Sequence, residues 1–122
     1  MKIFAIDHVQ IAIPGGSETQ AREFYINVLG FAEVPKPATL AKRGGVWLQS
    51  ENVQLHLGVK KDFRPAKKAH PAFLVDNLDD FISKAKSLEI EIDVSQPELE
   101  GFKRIHIFDP FGNRIELMEV IK

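Results

Sequence analysis

His106-Ile107-Phe108-Asp109-Pro110-Phe111-Gly112-Asn113-Arg114-Ile115-Glu116-Leu117-Met118-Glu119-Val120 carries the most informative pattern in the chain. An apolar run, a tight Asp-Pro-Phe-Gly-Asn connection and a second apolar run spell a hairpin, with Gly112-Asn113 at a natural turn position. The second strand carries Glu116 between Ile115 and Leu117. A carboxylate inside a strand is costly to bury unless a metal or a hydrogen-bond donor accepts its charge.

Elsewhere in the chain three histidines sit in similar settings. His8 lies in Ile6-Asp7-His8-Val9-Gln10-Ile11-Ala12-Ile13, His56 in Val53-Gln54-Leu55-His56-Leu57-Gly58-Val59, and His70 in His70-Pro71-Ala72-Phe73-Leu74-Val75. Over residues 3–13 the side chains alternate, with Val9, Ile11 and Ile13 on one face and His8, Gln10 and Ala12 on the other. Val53, Leu55 and Leu57 oppose Gln54, His56 and Gly58 in the same way. Both histidines therefore stand opposite an aliphatic face.

Between these strands the punctuation is regular. Pro14-Gly15-Gly16 ends the first strand, and Ser17 with Gln20 forms a capping box for a helix through Phe24, Tyr25, Val28 and Leu29, stopped by Gly30. A short strand is expected at 31–35, a loop at 37–41, and a hairpin from 46–49 and 53–59 across Ser50-Glu51-Asn52. The basic, proline-broken stretch 60–68 reads as a linker. Beyond it come a strand at 70–75, a helix capped by Asn77 and running through Leu88, a short strand at 90–94, a loop marked by Pro97 and Gly101, and strands at 102–108 and 114–120.

Both halves then read strand, helix, strand, strand, strand, an internal repeat of roughly 60 residues present twice. The expectation is one α+β domain of two βαβββ modules, 1–59 and 69–122, joined by 60–68. His8 and His70 occupy matching places in the first strand of each half, and His56 and Glu116 in the last.

Composition bounds the function. A chain of 122 residues suits one domain burying about two-thirds of its unfolded surface. Its net charge of -1, with both signs dispersed, gives no basic footprint for nucleic acid. Cysteine is absent, which excludes disulfides, thiol nucleophiles and thiolate ligands. The acid and histidine at Asp7-His8 interrupt what a signal peptide would keep apolar, and no apolar run reaches spanning length, so the expected setting is cytoplasmic and free of membrane.

A single His or Glu on a strand is more often a hydrogen-bonded structural group than a ligand; four at matched repeat positions argue for a shared purpose. Two curled modules would present them around a concave surface. Three imidazoles and one carboxylate suit a divalent transition metal such as Ni, Co, Zn, Mn or Fe, with positions left open for a small-molecule substrate. The fourth histidine, His106, alternates with Arg104 and Phe108, has no repeat partner of this kind, and reads as structural or pocket-lining. Arg43, Trp47, Phe63 and Phe111 are weaker pocket candidates, explained equally by packing. Gly44-Gly45 precedes a strand and lacks the residues of a phosphate loop.

These motifs, together with Phe24-Tyr25-Ile26-Asn27-Val28-Leu29-Gly30-Phe31, resemble the vicinal oxygen chelate superfamily over essentially the whole chain. That superfamily holds glyoxalase I, methylmalonyl-CoA epimerase, extradiol dioxygenases, fosfomycin-resistance thiol transferases and metal-free bleomycin-resistance proteins. The resemblance implies paired βαβββ modules forming a curved mixed sheet around a metal-binding cavity, a homodimer, and an ion at His8, His56, His70 and Glu116 that binds vicinal oxygens of the substrate. It implies a glyoxalase-like lyase or isomerase in which Glu116, or His56, serves as the base. His56 stands where bacterial and animal glyoxalase I carry a glutamate. The trio His8, His70 and Glu116 also matches the metal set of the thiol transferases, and a metal-free drug-binding protein is the rival from another class.

Overall fold

Alternation places Ile11 and Ile13 in the core from β1 (Val9–Ile13) in the computed structural model, which describes residues 1–122. The chain forms two compact units, Met1–Pro65 and Ala66–Lys122.

In the first unit, β1 leads into α1 (Glu18–Arg22), which continues as a π-helical stretch, Glu23–Val28. Gly30, at φ 85°, ends it in the left-handed conformation that only glycine adopts without strain. β2 (Ala32–Val34), a 3-10 turn at Ala38–Arg43, β3 (Val46–Ser50) and β4 (Val53–Val59) follow. The strands order as β1-β4-β3-β2, with β1 parallel to β4 and the other pairs antiparallel. Ile11, Ile13, Ala21, Phe24, Tyr25, Val46, Leu48, Leu55 and Leu57 are buried. The hydrophobic effect, at about 25 cal/mol per Å² of apolar area, gathers these side chains.

The second unit repeats the plan. β5 (Ala72–Leu74), α2 (Leu78–Ser87), β6 (Phe102–Phe108) and β7 (Arg114–Val120) form a sheet in the order β5-β7-β6, with β5 parallel to β7 and β6 antiparallel to it. Leu78, Ala85, Ile105, Ile107, Ile115 and Leu117 make its core. Asn77 caps α2 as its sequence predicts, its side chain accepting from the Asp80 amide at 3.0 Å; Glu119 of β7 accepts from the Leu78 amide at 2.6 Å. No helix in either unit is long and apolar enough to cross a membrane.

The β6–β7 connection is a hydrogen-bonded knot. Asp109 Oδ1 accepts from the amides of Phe111 (2.9 Å) and Asn113 (2.8 Å), and its Oδ2 accepts from Asn113 Nδ2 (2.8 Å). Asn113 Oδ1 accepts from the Ala66 amide at 2.9 Å, and the Arg114 amide donates to the Ala66 carbonyl. The end of the basic stretch is thereby fastened to the start of β7.

Four local expectations change. Ser17 makes no side-chain cap on α1; its hydroxyl donates to the Pro14 carbonyl at 2.6 Å. Residues 38–43 coil into a 3-10 turn where a loop is expected. The alternation over 3–13 becomes strand only from Val9, since Ile3, Phe4 and Ile6 are exposed and have no covered face to serve. The strand expected at 90–94 contracts to one bridge, Asp93 with His106. There the Asp93 side chain accepts from the Ser95 amide at 2.8 Å, turning the chain away before Pro97. Even so, the bridge sits beside β6 as β2 sits beside β3, so the repeat order is kept.

Candidate metal centre

β4, β6 and β7 are buried on both faces, aliphatic on one and polar on the other. His56 lies between buried Leu55 and Leu57, His106 between Ile105 and Ile107, and Glu116 between Ile115 and Leu117. Period-two geometry turns each polar side chain away from its aliphatic neighbours.

The four sequence-predicted residues arrive as two pairs, one in each unit. In the first, the cross-strand pair Trp47 and His56 stacks with ring centroids 3.9 Å apart and planes 2° from parallel. His8, just before β1, stacks on His56 at 4.1 Å, and Asp7 lies against its Nδ1 at 3.0 Å. Burial pushes the His56 imidazole below its ordinary value, and the neighbouring His8 adds to that effect.

In the second unit, His70 Nε2 lies 3.0 Å from Glu116 Oε1. His106, opposite Glu116 in the β6–β7 register, brings its Nε2 within 3.3 Å of the same oxygen. Arg104 Nη1 donates to Glu116 Oε2 at 3.1 Å. Glu116 is 5% exposed. Burial alone would raise its carboxyl, but the hydrogen bonds of His70 and Arg104 and the charge beside it outweigh burial and hold it below the ordinary range. His106 is pushed down, first by burial and then by Arg114.

One ligand atom from each of His70, His106 and Glu116 lies within 4.8 Å of the others, so this trio can hold a metal ion. His70 Nδ1 meets the Lys68 carbonyl at 2.9 Å. A carbonyl only accepts, so Nδ1 carries the proton, and a neutral ring then aims the lone pair of Nε2 at the carboxylate. A cation between them, whether a proton or a metal, satisfies that arrangement. Two imidazoles and one carboxylate fit Zn, Fe, Co, Ni or Mn, and the backbone carbonyl behind His70 is the usual outer partner of a ligating histidine.

His106 is the residue that strand-by-strand reading misplaces. Its repeat partner is Trp47: Trp47 faces His56 across β3–β4 as His106 faces Glu116 across β6–β7. Aligning the two hairpins by register, rather than comparing outer strands alone, exposes the correspondence. Arg104 carries no signal of this kind, because its contact with Glu116 is diagonal across the ladder.

Residues 5–117 match the model of the Glyoxalase/Bleomycin resistance protein/Dioxygenase superfamily. Among solved structures, the chain is similar to a glyoxalase family protein of Bacillus anthracis at 46% identity and TM-score 0.90, covering 99% of this chain and 98% of that one. It is similar to a virulence protein of Salmonella typhimurium at 25% identity and TM-score 0.73, covering 99% and 100%. It shares its fold with the fosfomycin resistance protein FosX of Listeria monocytogenes, at 15% identity, TM-score 0.75 and coverage of 98% and 96%. Among curated proteins, none matches. The two βαβββ-type units and the match over nearly the whole chain place this protein in the Glyoxalase/Bleomycin resistance protein/Dioxygenase superfamily.

Proposed function

We propose that the protein is a metal-dependent, glyoxalase-like lyase or isomerase acting on a small oxygenated substrate. The observation that carries this reading is the convergence of His70 Nε2 and His106 Nε2 on one oxygen of a buried carboxylate, with the proton of His70 committed to the Lys68 carbonyl. A bound divalent ion would supply Lewis-acid polarisation of substrate oxygens. His70, His106 and Glu116 Oε1 would hold it. Arg104, donating to Oε2, helps to keep Glu116 ionised. His56, its proton affinity lowered by burial and by the neighbouring His8, is neutral near pH 7 and would accept a proton at its one unprotonated ring nitrogen.

A metal-free binding module is the second reading, favoured by one feature: both oxygens of Glu116 already meet protein donors. Metal content of untagged protein separates the two. About one equivalent of transition metal, lost in His106→Ala, supports the centre; loss in His8→Ala as well extends the ligand set to the residue the sequence singles out. No metal after reconstitution with Ni, Co, Zn, Mn and Fe(II) overturns the enzyme reading. Metal-loaded protein is then assayed with the thiohemiacetal of methylglyoxal and with fosfomycin plus a thiol. Turnover of the first supports the isomerase, and turnover of only the second replaces it with a thiol transferase.

A further inference from the structure

Arg104 stands on β6 opposite Met118, one diagonal step from Glu116 and on the same sheet face as His106. Its guanidinium does not close bidentately on the carboxylate, as an isolated arginine–glutamate pair would. It divides itself: Nη1 donates to Glu116 Oε2 at 3.1 Å and Nη2 to the Pro97 carbonyl at 2.6 Å, while Nε is buried without a partner. The Pro97 carbonyl belongs to an anchored loop. Asp93 exchanges both backbone hydrogen bonds with His106 at 2.8 and 3.0 Å on one side, and the Phe102 amide closes on the Leu99 carbonyl at 3.1 Å on the other.

The geometry points to Arg104 as a positioning residue that restricts Glu116 to a one-oxygen metal ligand. The inference rests on the metal reading above and concerns this side chain alone. With Oε2 held by a guanidinium that is itself held by Pro97, only Oε1 faces the two imidazoles. A fixed positive charge on the far oxygen also competes with the ion for the carboxylate's charge. Both effects act in one direction: the ion is held less tightly and keeps a coordination position open for substrate oxygens. A side chain that only braced the sheet would leave metal affinity unchanged or lower it when lost.

Cobalt(II) titration of the full chain, followed by visible absorption, tests this on the native protein and on Arg104→Met, Arg104→Lys and Glu116→Gln. Arg104→Met is expected to bind Co(II) about tenfold more tightly, a change as large as the smaller effects of outer partners but opposite in sign, because the charge removed competes with the ion. Its absorption per cobalt should be weaker, as coordination number rises when Oε2 joins. Arg104→Lys, which keeps the charge, should stay near the native affinity, and Glu116→Gln should lose binding. Arg104→Gln carries the same expectation as the methionine variant without adding apolar surface. Unchanged or weaker Co(II) binding in folded Arg104→Met and Arg104→Gln, with native binding intact and Glu116→Gln deficient, overturns the role of Arg104 and leaves the metal centre standing. No Co(II) binding by the native protein or by any arginine variant overturns both.

Discussion

Replacing Glu116 by glutamine keeps the shape of the side chain and removes its charge, so the change falls on the centre rather than on packing. In the metal-free protein the carboxylate receives His70 and Arg104. A hydrogen bond to a charged group is worth about 1.5–3 kcal/mol, and the amide retains one acceptor, so the net loss should be about 2 kcal/mol. For 122 residues the unfolding entropy is about 0.26 kcal/mol per kelvin, which converts that loss to about 8 °C in thermal midpoint. Metal at a hundredfold excess over its dissociation constant should stabilise the native chain by about 2.7 kcal/mol, or about 10 °C. Glu116→Gln should show the lower starting midpoint and no metal-induced rise. The assay is thermal unfolding followed by circular dichroism, with and without Co(II) or Zn(II). A variant that gains the same rise as the native protein would refute Glu116 as a ligand.

Two further outcomes follow from the same structure. Asp109→Ala removes the acceptor of two backbone amides and of Asn113 Nδ2, and Asn113 is only 2% exposed. At about 1–3 kcal/mol per stranded buried donor, the cost should be about 3–4 kcal/mol, read as a fall of about 12–15 °C in thermal midpoint; a fall below about 4 °C would show that the knot is not what secures the hairpin. With pH, His56 and His106 both take up protons less readily folded than unfolded, chiefly through burial. Their stabilisation is therefore complete above their ordinary 6.5 and is lost as pH falls from there toward their lower folded values. Glu116, held below its ordinary 4.5, adds a second loss beneath that pH. Metal-free protein should thus have a flat thermal midpoint above pH 7 and two successive declines below about 6.5 and about 4.5. The fluorescence of Trp47, the one tryptophan, should fall with the first, as a protonated His56 quenches the indole stacked on it. A midpoint that rises on acidification through this range would contradict the burial of these rings.

The order of the segments along the chain is enough to give the two-fold repeat, and local spacing is enough to give the alternation of β1, β4, β6 and β7, the cap of α2 and the final hairpin. The alternation, the cap and the hairpin rest on contacts within a few residues, where a period of two or a cap spacing is enough. The sequence also determines that Glu116 must find partners, because a carboxylate between isoleucine and leucine has few other ways to be buried. Which residues those partners are depends on how the strands pair. His106 joins Glu116 because the β6–β7 ladder puts them opposite each other, and the strand before β6 shrinks to Asp93 because a side-chain hydrogen bond turns the chain there. Arg104 reaches Glu116 on a diagonal while Pro97, seven residues earlier, holds its other nitrogen. Register and the sharing of hydrogen-bond donors between distant segments depend on how whole strands lie together, and no local spacing encodes them.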